Sequence, residues 1–99
     1  MSISLEQAKR LALYWFCGKE TTEEEMKKES GYSILYAGDE GNEWRIGINQ
    51  KDPKWGMLVP GIPTFHVDKK TGETIERGIH GVIAIHPPVM EILENQEVE

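Results

Sequence analysis

An α+β fold is what this sequence predicts: an N-terminal amphipathic helix packed on an antiparallel sheet of four to five strands, with a short C-terminal helix. Three observations predict it. Residues 4–17, SLEQAKRLALYWFC, carry apolar side chains at helical spacing. From Gly31 onwards the hydrophobic period falls to two. Between the period-two runs stand GDEGN (38–42) and DKKTG (68–72), whose Gly, Asn and Asp residues are turn formers.

The helix over 4–17 has a start and a stop. Ser4 can cap the N-terminus while Gln7, three residues on, answers it in a capping box. Leu5, Ala8, Leu11, Ala12, Trp15 and Phe16 fall on one side, with Glu6, Lys9 and Arg10 towards the other. Gly18 can take the left-handed conformation that ends a helix. Thirteen or so residues make a marginal helix in water, so the stripe must be buried against a sheet.

Residues 21–30, TTEEEMKKES, read as a short acidic surface helix capped by Thr21 or Thr22. Its acids lie in the first turn and its lysines in the last, which suits the helix dipole. Met26 is its one apolar residue, so the acidic run reads mainly as a solvated face. YSILYA (32–37) and EWRIGI (43–48) then form a hairpin, with Trp44, Ile46 and Ile48 alternating against Glu43, Arg45 and Gly47. IPTFHVD and ETIERG form a second hairpin, and HGVIAI (80–85) adds a fifth strand. Pro87 and Pro88 suit the first turn of a terminal helix over 87–96, pinned by Val89, Met90 and Leu93. The whole chain, 1–99, is one domain's worth.

Composition narrows the function classes. A formal net charge of -6 argues against nucleic-acid binding, which depends on Lys and Arg neutralising phosphates. No apolar run approaches the roughly 18 residues a membrane helix needs. The N-terminal MSISLEQAKR has no basic stretch followed by an apolar core, so no signal peptide is expected. One cysteine, Cys17, cannot form an internal disulfide. Together these features point to the cytoplasm. No nucleotide or zinc fingerprint is present, and no cofactor is expected.

Chemistry is the next question for HVDKKTGE (66–73). Asp68 can accept from backbone N–H groups ahead of it, and Gly72 can supply the positive φ of a bulged hairpin loop. Asp68, Thr71 and Gly72 therefore read as a structural turn. A metal site would need His66 and Asp68 to be joined by His80 or His86, without any recognisable ligand spacing. A Cys17–His–Asp centre would place its thiol at a helix C-terminus, where carbonyls disfavour a thiolate. Paired carboxylates could meet in space, given 17 acids. None of these makes a catalytic set, and a non-enzymatic protein is expected.

Residues 49–61, NQKDPKWGMLVPG, form a long connection for so small a domain. Trp55, Met57, Leu58 and Val59 read either as a cap on an open end of the core or as an apolar partner-binding loop, since tryptophan and methionine favour interfaces.

One resemblance is carried by the SLEQAKRLA helix, the tryptophan strand EWRIGI and the hairpin GIPTFHVDKKTGE. In this order of elements the chain resembles small bacterial immunity proteins of polymorphic toxin systems, including the immunity protein 35 family. Similar hairpins occur in NTF2-like immunity proteins and PepSY-type inhibitory domains, and Asp68, Thr71 and Gly72 match the shared motif. The resemblance implies a cytosolic antidote that neutralises a toxin by direct binding. Two other readings stand beside it. One is an NTF2-like or cystatin-like domain holding a small ligand near Trp15, Trp44 and Tyr36; the other is a phage or mobile-element accessory protein.

Overall fold

The structure, a computed structural model, describes residues 2–50 and 60–94. Its elements run α1 (Leu5–Cys17), α2 (Glu23–Ser30), β1 (Tyr32–Asp39), β2 (Glu43–Gln50), β3 (Thr64–Asp68), β4 (Thr74–Gly78), β5 (Gly81–His86) and α3 (Met90–Glu94). The five strands form one antiparallel sheet in the order β1-β2-β3-β4-β5, a meander. Helix α1 packs on β2, β3 and α3, while α2 leans on β1. The fold is α+β.

Local chemistry starts and stops each helix. Gln7 donates its N–H to Ser4 Oγ (3.1 Å), and Ser4 returns its own to Gln7 Oε1 (2.9 Å). That reciprocal pair satisfies two of the donors a helix N-terminus leaves open. Gly18 closes α1 at φ +79°. Thr22 caps α2 by accepting from the Glu25 N–H at 3.1 Å.

Burial within α1 is wider than the apolar stripe alone suggests. Ala8, Leu11 and Ala12 are fully covered, and Leu13 and Gln7 are buried with them. Leu13 lines the junction between α1 and α2 together with Ile34. Gln7 is buried because its amide NH₂ donates to the Leu93 carbonyl (3.2 Å), which ties the start of α1 to α3. Under α1 lie Ile46, Ile48, Phe65 and Val67, with Met26, Ile92 and Ile3 closing the core.

α3 begins later than the proline pair suggests, at Met90 rather than Pro87. A proline disfavours helical backbone in the residue before it, which holds His86 and Pro87 extended. Val89 then supplies the first carbonyl, accepting from Ile92 and Leu93 at 3.1 Å each.

The turn between β3 and β4 is held by its aspartate. Asp68 Oδ1 accepts from the N–H groups of Lys70 (2.8 Å) and Thr71 (2.9 Å), and Gly72 donates to the Asp68 carbonyl (2.9 Å). Gly72 sits at φ +83°, where an L side chain is strained. The Thr71 and Lys70 N–H bonds hold the Asp68 carboxyl below its ordinary pKa. A depressed folded-state value means that the turn's contribution is complete above the unfolded pKa of about 4. It is lost as the pH falls through the lowered value. Asp39 titrates in the same direction, held down by the Lys69 ammonium and the Gly41 N–H. Asp68→Asn keeps the accepting oxygen and loses the charge. Its stability is therefore expected to lie below the parent's at pH 7 and to converge on it between about pH 5 and 3, because the parent alone loses the charge-assisted part as Asp68 protonates. Thermal melts across that range check this, and parallel slopes would refute it.

Candidate functional site: the uncovered face of the sheet

Register assigns every strand residue to one of two faces. Trp44, Val67, Thr74 and His86 form one row across β2 to β5, and Ile46, Phe65, Glu76 and Ala84 form the next. Both rows lie on the helix side, since Ile46, Phe65, Val67 and Thr74 are fully buried. The rows of opposite parity run Arg45–His66–Ile75–Ile85 and Gly47–Thr64–Arg77–Val82. Among the described residues, neither α1, α2 nor α3 covers that second face.

Alternation inverts between the two halves of the sheet. In β2 and β3 the apolar residues face the helices, as a one-sided sheet requires. In β4 and β5 the helix side receives Thr74, Glu76 and His86, while Ile75 and Ile85 lie on the uncovered side. A polar pair makes this tolerable: His86 Nε2 meets Glu76 Oε1 at 2.5 Å, so each satisfies the other. The His86 ring also stacks on Trp15 of α1, with centroids 4.0 Å apart and planes 12° from parallel. The helix side is thus closed by a hydrogen-bonded, stacked pair, and the isoleucines are left for the other side.

The two sheet edges differ in the same sense. On β1 the Ile34 N–H donates to the Glu23 carboxylate at 2.8 Å, and a bulge breaks the ladder between Ile34 and Tyr36. Both are devices that blunt an edge against further pairing. On β5 the sequence GVIAIH carries no Lys, Arg, Asp or Glu. Val82, Ile83 and Ile85 are each more than half exposed, and Ile79 in the preceding turn is 87% exposed. Among the described residues, β5 thus presents apolar side chains at a strand edge that no charge blunts.

Charge sits beside this apolar edge. A concavity of about 330 Å³ on the uncovered face is lined by Glu40, Arg45, Ile62, Thr64, His66, Arg77, Gly78 and Ile79. His66 Nδ1 is 2.8 Å from Glu43 Oε2, which fixes the ring. The Arg45 guanidinium lies 5.1 Å from the centre of the Tyr36 ring and reaches Glu40 only at 4.0 Å. A second cleft, of about 580 Å³, lies between α1 and α2; the Arg10–Glu20 and Lys9–Glu6 ion pairs lie along its walls.

The residues singled out by sequence scatter over this frame. Trp55, Met57, Leu58 and Val59 lie outside the described residues. Asp68, Thr71 and Gly72 hold the β3–β4 turn through the bonds given above. His66 and His86 occupy opposite faces and each pairs with a different glutamate. His80 lies in the exposed turn between β4 and β5. Among the described residues no three His, Cys, Asp or Glu side chains converge on a metal position. Burial raises the Cys17 thiol above its ordinary pKa; Lys19 offsets part of the rise and Glu29 adds to it. That environment favours the thiol over the nucleophilic thiolate. Trp15 and Trp44 lie on the helix side, where Trp44 Nε1 donates to the Ile3 carbonyl at 2.8 Å, but Tyr36 lies opposite Gly47 on the other face. These three rings therefore line no common pocket.

Sequence reasoning missed the β5 edge. One signal was there to find it: the last strand of a meander is an edge, and this one is uncharged. Among the described residues no helix is long and apolar enough to cross a membrane. Compared with family models, curated proteins and solved structures, the chain matches none.

Proposed function

We propose that this protein is a non-enzymatic binding module of the immunity type, a cytoplasmic antidote that neutralises a toxin by direct binding. Its contact surface is the uncovered sheet face together with the β5 edge. The observation that carries this reading is the inverted alternation of β4 and β5, which directs Ile75 and Ile85 away from the helices. Among the described residues β5 pairs only with β4, and such a strand edge with apolar side chains can accept a strand or loop from another protein, with main-chain bonds giving affinity. The half-buried Cys17 thiol, whose pKa is raised, and the separately paired histidines fit a role in binding better than one in catalysis. The resemblance of the SLEQAKRLA helix and the GIPTFHVDKKTGE hairpin to immunity proteins supports the antidote reading.

Co-expression with the product of the adjacent reading frame tests it. Growth rescue and a stable complex on size exclusion are expected. Ile85→Glu should weaken the complex at least 100-fold, about 2.7 kcal/mol, because a carboxylate would be buried without a partner. The same change should leave the melting temperature within a few degrees, since Ile85 is exposed in the free protein. Absence of rescue, or full rescue by Ile85→Glu, would overturn the proposal.

A further inference from the structure

The concavity on the uncovered face differs in charge from the rest of the molecule. The chain carries a formal net charge of -6, yet Arg45, Arg77 and His66 line this hollow against one carboxylate, Glu40. The two arginines come from β2 and β4, which flank β3; Arg45 is opposite His66 and Arg77 opposite Thr64, so they stand diagonally, about 12 Å apart at the backbone. Their long side chains border the same 330 Å³ space over Thr64 and His66.

Neither guanidinium is committed to a strong internal pair. Arg77 has no ion-pair partner among the described residues, and the Glu40 contact of Arg45 is at the 4.0 Å limit, between exposed groups. An ion pair of that kind is weak. Tyr36 meanwhile holds the Arg45 guanidinium against its ring, at 5.1 Å from the centroid. Such a contact limits rotamer loss when a ligand arrives. Glu43 holds the His66 ring through Nδ1 at 2.8 Å, so the imidazole is a fixed wall of the hollow. Two guanidinium forks and a hydroxyl around a small space form a donor set for a planar oxyanion.

Charge and surroundings select which oxyanion. The field of an acidic protein repels polyanions, so a nucleic acid or polyphosphate is disfavoured. Ile62 and Ile79 are part of the lining, and Ile75 and Ile85 continue the apolar surface across β4 and β5. That rim fits a single carboxylate set among apolar side chains.

We propose that this concavity is a carboxylate-recognition site, which takes one acidic side chain presented from an apolar patch of a partner protein. The inference rests on the reading of this face as the partner surface and deepens it by naming the chemistry of the contact. Arginine, with tryptophan and tyrosine, is enriched among the residues that anchor interfaces.

Nuclear magnetic resonance titration of the full chain tests it, following the arginine Nε–H groups and the His66 ring. The probes are acetyl-Leu-Glu-Leu-amide, its glutamine counterpart and inorganic phosphate. Saturable shifts at Arg45, Arg77, His66 and Thr64 are expected with the glutamate peptide in the millimolar range, with affinity at least tenfold lower for the glutamine peptide. Arg10, which is paired with Glu20 on the helix side, should not respond. Arg77→Gln should weaken glutamate-peptide binding about tenfold without moving the melting temperature, and Arg45→Gln should do the same. An equal response to the glutamine peptide, tighter binding of phosphate, or unchanged affinity in both variants would overturn the site. Those outcomes leave the binding reading itself standing; it falls if co-expression gives no rescue or if Ile85→Glu fails to impair it.

Discussion

Replacing Phe65 with alanine is expected to lower the unfolding free energy by about 3–5 kcal/mol. Phe65 is fully buried at the centre of the sheet, opposite Ile46 on one side and Glu76 on the other. From above, the ring of Phe16 meets it edge-on with centroids 6.2 Å apart. The alanine cavity cannot collapse easily, because its floor is ladder-bonded sheet and its roof is α1, anchored at both caps. Unfolding free energies for domains of this size are about 5–15 kcal/mol. The loss is therefore a large fraction of the total and should lower the melting temperature by roughly 4–8 °C per kcal/mol. Phe65→Leu keeps most of the volume and should cost less than half as much. Calorimetry or urea unfolding checks both, and a loss under about 1 kcal/mol for the alanine variant would show that Phe65 is not the centre of the core.

Residues such as Phe65 were legible in the sequence, and the reason is periodicity. In EWRIGI and TFHVD the apolar positions alternate cleanly, so strand, face and burial follow from one pattern. Helix α1 was legible for the corresponding reason, with Ser4 and Gln7 adding a chemical start signal. The inversion in β4 and β5 could not be read in this way. Hydropathy alone would turn Ile75 and Ile85 inward and Glu76 and His86 outward. Pairing register decides otherwise. The DKKTG turn sets Val67 opposite Thr74, and one residue of slip would exchange the faces of the whole strand. The compensating contacts, Glu76 with His86 and His86 with Trp15, join residues far apart in the chain, and no local pattern announces them. Places where local pattern and tertiary structure disagree are where functional surfaces concentrate. That disagreement made the candidate site invisible to sequence and makes it informative in the structure.

The turn that fixes this register supplies the second large expected effect. Gly72→Val should destabilise the protein by about 3 kcal/mol or more, from two separate causes. At φ +83° a β-branched residue pays the full left-handed penalty, about 1–2 kcal/mol. A side chain there would also place its Cβ 2.7 Å from Leu93 Cδ1, and forcing extra volume into a packed contact costs a further 1–3 kcal/mol, roughly. The consequences reach beyond the hairpin, because Leu93 is on α3 and its carbonyl receives the buried Gln7 amide from α1. Gly41, in the β1–β2 turn at φ +88°, has no atom within 4 Å of where a Cβ would lie. Gly41→Val should therefore show the backbone penalty alone. Adding Leu93→Ala to Gly72→Val separates the two causes at the β3–β4 turn. If the clash is real, the double variant is more stable than the sum of the single losses predicts, by 1 kcal/mol or so, as coupling between touching residues requires. Strict additivity would leave the left-handed backbone as the only cost, and would show that α3 does not rest on the turn.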